Sequence, residues 1–365
     1  MLPRPGTPPS DHSSGGSSAR LTPPRGRRAG RALRRQNGGV PDLPPPPRYG
    51  ATAVRPAWAD LPAPLRTAIE ERLGEPVTSA ESAGGGFTRG FAATLTTAAG
   101  KRVFVKAAHL AHQPQLTAWY AREAEICARL PAAVPAPRPR WRLMAADYLV
   151  ICFDAVDGRP PRLPWHPAEL DAALRAWATA AAALRTPPAD LLHVGMPTLA
   201  ELLRADLSHW HAIAAGEEPL PPFAAHVARH LPELVALEEA LPDYAADDGV
   251  IHGDLRLDNI LIDRAGDAWI CDWSWPCRGP AWFDTASLLV SAYASGLDAD
   301  ALFATHPTAR DAPPDALDAT LAALAGYWLT GAAAGPTDAA PAIRHHHRWS
   351  GEAALTWLAT RRGWH

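Results

Sequence analysis

Hydrophobic positions change their period several times along this chain, and the first fifty residues show no period at all. Pro, Gly, Ser and Arg crowd that stretch, with Pro44 to Pro47 consecutive. A segment so poor in apolar side chains cannot offset the entropy of ordering itself, so residues 1–50 are expected to be a disordered, solvated tail or a start assigned too early. Order is expected from Trp58. Leu65, Ile69 and Leu73 then recur at helical spacing, and Gly74 is a natural stop. Alternation takes over after the glycine-rich Ala83-Gly-Gly-Gly-Phe-Thr-Arg-Gly90: one strand runs through Leu95, Ala98 to Lys101 makes a turn, and Arg102 to Ala107 is a second strand. Tyr120, Ala124, Cys127 and Leu130 return to helical spacing. Past a proline-rich connection from Pro131 to Pro139, the apolar run Tyr148 to Phe153 reads as a buried strand closed by Val156-Asp-Gly158.

The second half is helical in pattern. Apolar residues at 170, 174, 177, 181 and 184 mark a long amphipathic helix from Pro167, stopped by Pro187-Pro188. Further helical periods fall at 198–213, 222–240, 284–294, 315–331 and 352–360. Alanine-rich periodicity of this kind is a packing signal, so these helices are assigned to scaffold. Strands followed by helices predict an α+β chain. One stretch breaks the helical run: Val250-Ile-His-Gly-Asp-Leu-Arg-Leu-Asp-Asn-Ile-Leu-Ile-Asp263 and then Ala268-Trp-Ile-Cys-Asp-Trp273. Its polar residues lie between apolar runs, and Ile260 to Ile262 with Trp269 to Cys271 predict a hairpin. Such a hairpin brings Asn259 and Asp272 to one end. An amide oxygen beside a carboxylate is a hard site suited to Mg²⁺ that keeps waters and phosphate ligands, and it leaves Asp254 free to act elsewhere.

Composition narrows the partners. At 365 residues and 47% hydrophobic the chain has ample core for two lobes, and no apolar run approaches the roughly 18 residues that span a bilayer. A soluble, cytoplasmic protein is expected. The net charge of −3 divides into +7 over residues 1–50 and −10 over the rest, so the body has no basic face for nucleic acid. No apolar segment follows the tail's arginine pairs, as a targeting peptide would require. Cys127, Cys152, Cys271 and Cys277 have no metal spacing and are read as reduced and buried. His345-His-His347 cannot all face one metal in a regular element and is read as a surface coincidence. Lys101 and Lys106 are the chain's only lysines among 35 basic side chains, which marks Lys106, within a strand, as a place where an ammonium is wanted.

These residues carry a resemblance. His252-Gly253-Asp254, with Arg256 two positions on, Asn259 five on and Asp272 thirteen after Asn259, is similar to the catalytic and metal loops of the protein-kinase-like fold. The His-Gly-Asp form and Asp272-Trp273 resemble its small-molecule branch: the aminoglycoside phosphotransferase family with its choline- and homoserine-kinase-like relatives.

The resemblance implies an antiparallel sheet lobe with a helix, over about 55–157, and a mainly helical lobe over 158–365. It implies transfer of the γ-phosphate of ATP or GTP, with Mg²⁺, to a hydroxyl of a small molecule, with no membrane, nucleic-acid or protein partner evident. Asp254 would be the base, Asn259 and Asp272 the metal ligands, and Arg256 a residue facing the γ-phosphate. His252 and Asp284 fall to loop support, Asp284 also reading locally as a helix N-cap. Gly84, Gly85 and Gly86 would close over the phosphates, although Gly84, Gly86 and Gly90 depart from the usual glycine spacing. Lys106 would meet the α- and β-phosphates, paired with Glu123, for which Glu125 competes. Phe153, Asp154 and Ala155 match the lobe linker, whose backbone meets the base of the nucleotide. A polycationic acceptor would need several carboxylates, and Glu217, Glu218, Asp298 and Asp300 are available. The other class of reading is an inactive nucleotide-binding regulator with an Arg-rich recruiting tail.

Overall fold

The structure, a computed structural model, describes residues 43–335 and 339–364. Helix α1 (Ala63–Leu73) turns Leu65, Ile69 and Leu73 inward and ends at Gly74 in the left-handed conformation, φ +81°. An antiparallel sheet follows, built from β1 (Val77–Ser82), β2 (Phe91–Thr97), β3 (Arg102–His109), β4 (Pro139–Ala145) and β5 (Tyr148–Asp154), in the order β1-β2-β3-β5-β4. Helix α2 (Pro114–Arg129) joins β3 to β4. The three strands read from sequence are the inner ones. The two unread strands, β1 and β4, are edges whose half-exposed, polar faces carry little hydrophobic signal.

The sheet packs on both faces. One face meets α1, with Leu65, Ile69, Leu95, Val103, Val105 and Val150 fully buried. The other meets α2 and continues without a break into the core of the helical half, which is why the two halves share one hydrophobic cluster.

After β6 (Gly158–Arg159) the chain is helical: α3 (Pro167–Leu184), α4 (Ala189–Leu192), α5 (Leu199–Asp206), α6 (His209–Ala214) and α7 (Leu231–Tyr244). The helical span expected at 198–213 is therefore two helices, broken at Leu207-Ser208. The one expected at 222–240 begins as a 3₁₀ segment, Pro222–His230, and becomes α-helical at Leu231. Strand β7 (Val250–Ile251) pairs with β10 (Cys277–Arg278), and the hairpin β8 (Ile260–Asp263) and β9 (Ala268–Ile270) pairs with β6. Helices α8 (Trp282–Ala294), α9 (Ala299–Thr305), α10 (Ala316–Ala333) and α11 (Ala342–Arg362) complete the fold. The antiparallel sheet and the helical C-terminal part are the α+β architecture read from the sequence. No helix among the described residues is long and apolar enough to cross a membrane.

Two expectations change. The disorder expected over residues 1–50 does not hold at Tyr49, which is only 5% exposed and whose hydroxyl hydrogen-bonds His346 Nδ1 at 2.8 Å. Tyr49 is the first aromatic residue of the chain, a signal the proline-rich context hid. Residues 1–42 lie outside the described ones. The histidine run is at the surface only in part: His345 is exposed, but α11 starts ten residues earlier than its periodic segment, and His346 sits buried among Tyr49, Phe87 and Trp328. Among the described residues no metal-binding cluster of His, Cys, Asp or Glu forms.

Candidate active site

The loop after β7 is held from below. Asp284, fully buried in the first turn of α8, accepts the backbone N–H groups of His252 at 2.7 Å and Gly253 at 3.1 Å. It is thus a brace for the loop rather than the cap of its own helix, whose N-cap is Ala281. Gly253 has φ +76°, and a Cβ there would lie 2.4 Å from the Trp275 carbonyl oxygen, so no other residue fits this turn. His252 donates from Nε2 to the Cys271 carbonyl at 2.9 Å and accepts the Asp254 N–H at Nδ1. Burial holds its imidazole down to about 4, so the ring is neutral and ties the loop to the hairpin.

Asp254 emerges from this loop a quarter exposed, bound by Arg256 Nη1 at 2.6 Å. Arg256 also grips Asp258, at 3.1 Å from Nε and 3.2 Å from Nη2, so one guanidinium orients two carboxylates. Asp258 was not singled out by the sequence reading, although it lies inside the motif. Burial pushes the Asp254 carboxyl up to about 6 against the pull of Arg256. The Asn259 amide nitrogen donates to the Asp254 carbonyl at 2.8 Å, which turns the amide oxygen the other way.

The hairpin does what its pattern predicted. Ile260 pairs with Ile270, and the Cys271 N–H donates to the Asn259 carbonyl at 2.8 Å, so Asn259 and Asp272 arrive at one end. Asp272 takes φ +60°, a conformation costly for a non-glycine residue and common where a side chain must be aimed. Its Oδ1 accepts Ser274 Oγ at 2.7 Å and stands 4.0 Å from Lys106 Nζ. Burial alone would raise this carboxyl; Lys106 and Ser274 hold it low instead.

Lys106 reaches the site from the middle of β3. Its Nζ donates to both oxygens of Glu123 on α2, at 2.7 and 2.5 Å, while Glu125 faces outward and pairs with Arg129. The alternative between Glu123 and Glu125 is thereby resolved in geometry. Burial would lower the ammonium, and Glu123 with Asp272 outweighs it, so Lys106 stays charged.

The glycine-rich segment lies over the site in an unexpected setting. Its carbonyls are taken by residues from before α1: Gly84 O accepts Ala53 N–H at 3.0 Å, Gly85 O accepts Arg55 Nη2 at 3.0 Å, and Gly86 O accepts Thr52 Oγ1 at 3.2 Å. A Cβ on Gly84 would lie 2.0 Å from the Gly50 carbonyl oxygen, so glycine serves here for close approach of two backbones. Phe87 carries the segment across to the helical half: its carbonyl accepts the Ala340 N–H at 2.7 Å, and its ring lies 5.9 Å from the Arg256 guanidinium carbon. Of the linker residues, Phe153 is buried 5.9 Å below Lys106 Nζ. Asp154 turns to Arg140 at 2.6 Å and gives its N–H to the Arg138 carbonyl, so neither is directed at the site. Ala155 follows in the coil that leads to β6.

On the other side of Asp254 is a cavity of about 50 Å³, walled by α5, α8 and α10. None of Glu217, Glu218, Asp298 and Asp300 lines it. Glu218 pairs with His209, Asp298 caps α9 through the Ala301 N–H, and Asp300 pairs with Arg361.

Residues 79–327 match the family described as the phosphotransferase enzyme family, APH. No curated protein matches the chain. Among solved structures, a thermostable mutant of aminoglycoside phosphotransferase APH(4)-Ia, in its apo form, aligns with a TM-score of 0.56 at 15% identity, covering 82% of this chain and 99% of that one. The same values hold for a ternary complex of that protein with ADP and hygromycin B. A candidate fructosamine-3-kinase from Haemophilus somnus 129PT aligns with a TM-score of 0.52 at 12% identity, over 85% of this chain and 98% of that one. At these identities the structures share a fold with this chain. The sequence match, spanning well over half of its length, places it further: the chain belongs to the phosphotransferase enzyme family.

Proposed function

We propose that the protein transfers the γ-phosphate of ATP or GTP to a hydroxyl group of a small molecule. The observation that carries this reading is the convergence of Asp254, Asn259, Asp272 and the Lys106–Glu123 pair on one cleft from five separate elements. The hydroxyl gives its proton to Asp254 as its oxygen bonds to the γ-phosphorus. The bond from that phosphorus to the β–γ bridging oxygen breaks, and ADP or GDP leaves with the electron pair. The products are a phosphate ester, the diphosphate, and a proton that Asp254 passes to water. A carboxylate poised near 6 suits a base that must be ionised at neutral pH and still take a proton late in transfer. Arg256 holds it in place and keeps positive charge beside the phosphoryl path.

Asn259 and Asp272 fit a hard divalent cation. The hairpin brings an amide oxygen and a carboxylate to one end, and among the described residues no metal-binding cluster of three His, Cys, Asp or Glu forms, so phosphate and water would complete the shell, as Mg²⁺ prefers. Mg²⁺ bound there would neutralise charge on the β- and γ-phosphates. Lys106, kept charged by Glu123, serves the α- and β-phosphates; the Gly84–Gly86 segment covers them with its carbonyls turned away to Thr52, Ala53 and Arg55. We place the passage between lobes at residue 157, just ahead of β6.

The test is phosphate transfer from Mg-ATP and Mg-GTP, read by mass spectrometry, with Asp254→Asn as control. The variant is expected to lose roughly 10²–10⁴-fold in rate while still binding nucleotide. Near-original turnover by the variant would remove Asp254 from its role. Binding without transfer by the wild type would favour the regulator reading.

A further inference from the structure

The cavity beside Asp254 is the space an acceptor hydroxyl must enter, and its walls are nearly free of charge. Leu199 and Leu202 of α5, Phe283 of α8, and Leu324, Tyr327 and Trp328 of α10 form them. Leu202, Phe283, Leu324 and Trp328 are each 4–7% exposed, so the surface is fixed by packing rather than by mobile side chains. Ser287 is the small hydroxyl among them. The charged groups present are Asp254 and Arg256, which satisfy one another at 2.6 Å.

We propose that the acceptor is an uncharged alcohol with an apolar, aliphatic or aromatic body, rather than a polyamine-bearing sugar. This inference deepens the phosphotransferase reading and rests on it. Moving an ammonium group from water against leucine and tryptophan walls is costly unless a carboxylate meets it. Three of the four carboxylates singled out for that role are held elsewhere: Glu218 by His209, Asp300 by Arg361, Asp298 by the start of α9. An apolar body, by contrast, gains from every wall it covers, and the hydroxyl is the one group it must present to Asp254. The nearest competing feature is Asp206, at the end of α5, whose Oδ2 is buried with no hydrogen-bond partner among the described residues. Its charge acts on Tyr327 in the wall, so Asp206 is the group that would meet a cation if the acceptor carried one, and the test below includes it.

The experiment compares 2-phenylethanol and geraniol with kanamycin and hygromycin B as acceptors for the full chain with Mg-ATP and Mg-GTP. Nucleotide affinity is measured in parallel by calorimetry. The expected result is a kcat/KM for at least one of the two alcohols that exceeds both aminoglycosides by about 100-fold or more. Leu202→Asp, which sets a carboxylate in the wall, is expected to lower alcohol turnover at least tenfold with nucleotide affinity kept. Asp206→Asn is expected to leave the preference unchanged, and it needs no rearrangement of the core. Preferential transfer to kanamycin or hygromycin B overturns the inference. So does bound nucleotide with transfer to neither alcohol, or loss of turnover in Asp206→Asn. Failure to bind nucleotide at all is a different outcome: it removes the phosphotransferase reading beneath.

Discussion

Replacing Lys106 by Met tests whether the strand lysine and the α2 glutamate act as one buried unit. Glu123 is 4% exposed and holds Lys106 Nζ through both oxygens, at 2.7 and 2.5 Å. Lys106→Met leaves that carboxylate buried beside Asp272 with no counter-charge, a loss of roughly 3–5 kcal/mol. Glu123→Gln strands the ammonium less severely, because Asp272 remains 4.0 Å away. The double variant Lys106→Met/Glu123→Gln buries no charge at this place and is expected to be more stable than Lys106→Met alone. A pH dependence comes with it. Burial already pushes Glu123 up to about 7 with the lysine present, and removing the lysine drives it higher. A carboxyl raised above its unfolded value, near 4.3, binds its proton more readily folded than unfolded. The penalty is therefore absent below that unfolded value and grows as pH rises toward the folded one. Urea denaturation of the four proteins at pH 5 and pH 8 is the assay. Lys106→Met should be destabilised far less at pH 5 than at pH 8. Additive single costs in the double variant, or a cost independent of pH, would refute the buried-pair argument.

Three other outcomes follow from the same geometry. Gly253→Ala meets a positive φ and a carbonyl at 2.4 Å; transfer should fall at least tenfold with nucleotide affinity kept, and an active Gly253→Ala enzyme would disprove the rigid turn. His252 is neutral at neutral pH because its folded value lies near 4 against an ordinary 6.5. The stability advantage of wild type over His252→Gln should shrink by up to about 1.4 kcal/mol per pH unit as pH falls from 6.5 toward 4, measured by urea midpoints. Tyr49→Phe removes the hydroxyl bound to His346 Nδ1 and should cost about 1 kcal/mol in thermal unfolding, with no change if that contact contributes nothing.

The loop that carries Asp254, its hairpin and the position of the strand lysine were legible because each is local. Spacing within 250–273 fixes which residues a short hairpin brings to one end, and alternation fixes which face of β3 holds Lys106. The Gly74 stop and the Ala98–Lys101 turn were legible for the same reason: glycine at positive φ is a demand of the backbone itself. Periodicity tells which side of an element is inward, but not what stands opposite. So the sequence left Glu123 and Glu125 open, and only the packing of α2 on the sheet chose between them. It offered four carboxylates for the acceptor, and tertiary structure gave three of them to His209, Arg361 and the start of α9. The hold of Tyr49, Thr52 and Arg55 on the glycine segment and on α11 joins residues up to 297 positions apart. The walls of the cavity beside Asp254 likewise come from three helices spread over more than a hundred residues. Side-chain types and local spacing set the chemistry available to this chain. Which groups meet depended on long-range packing, where burial and complementary charge select among partners that no local pattern distinguishes.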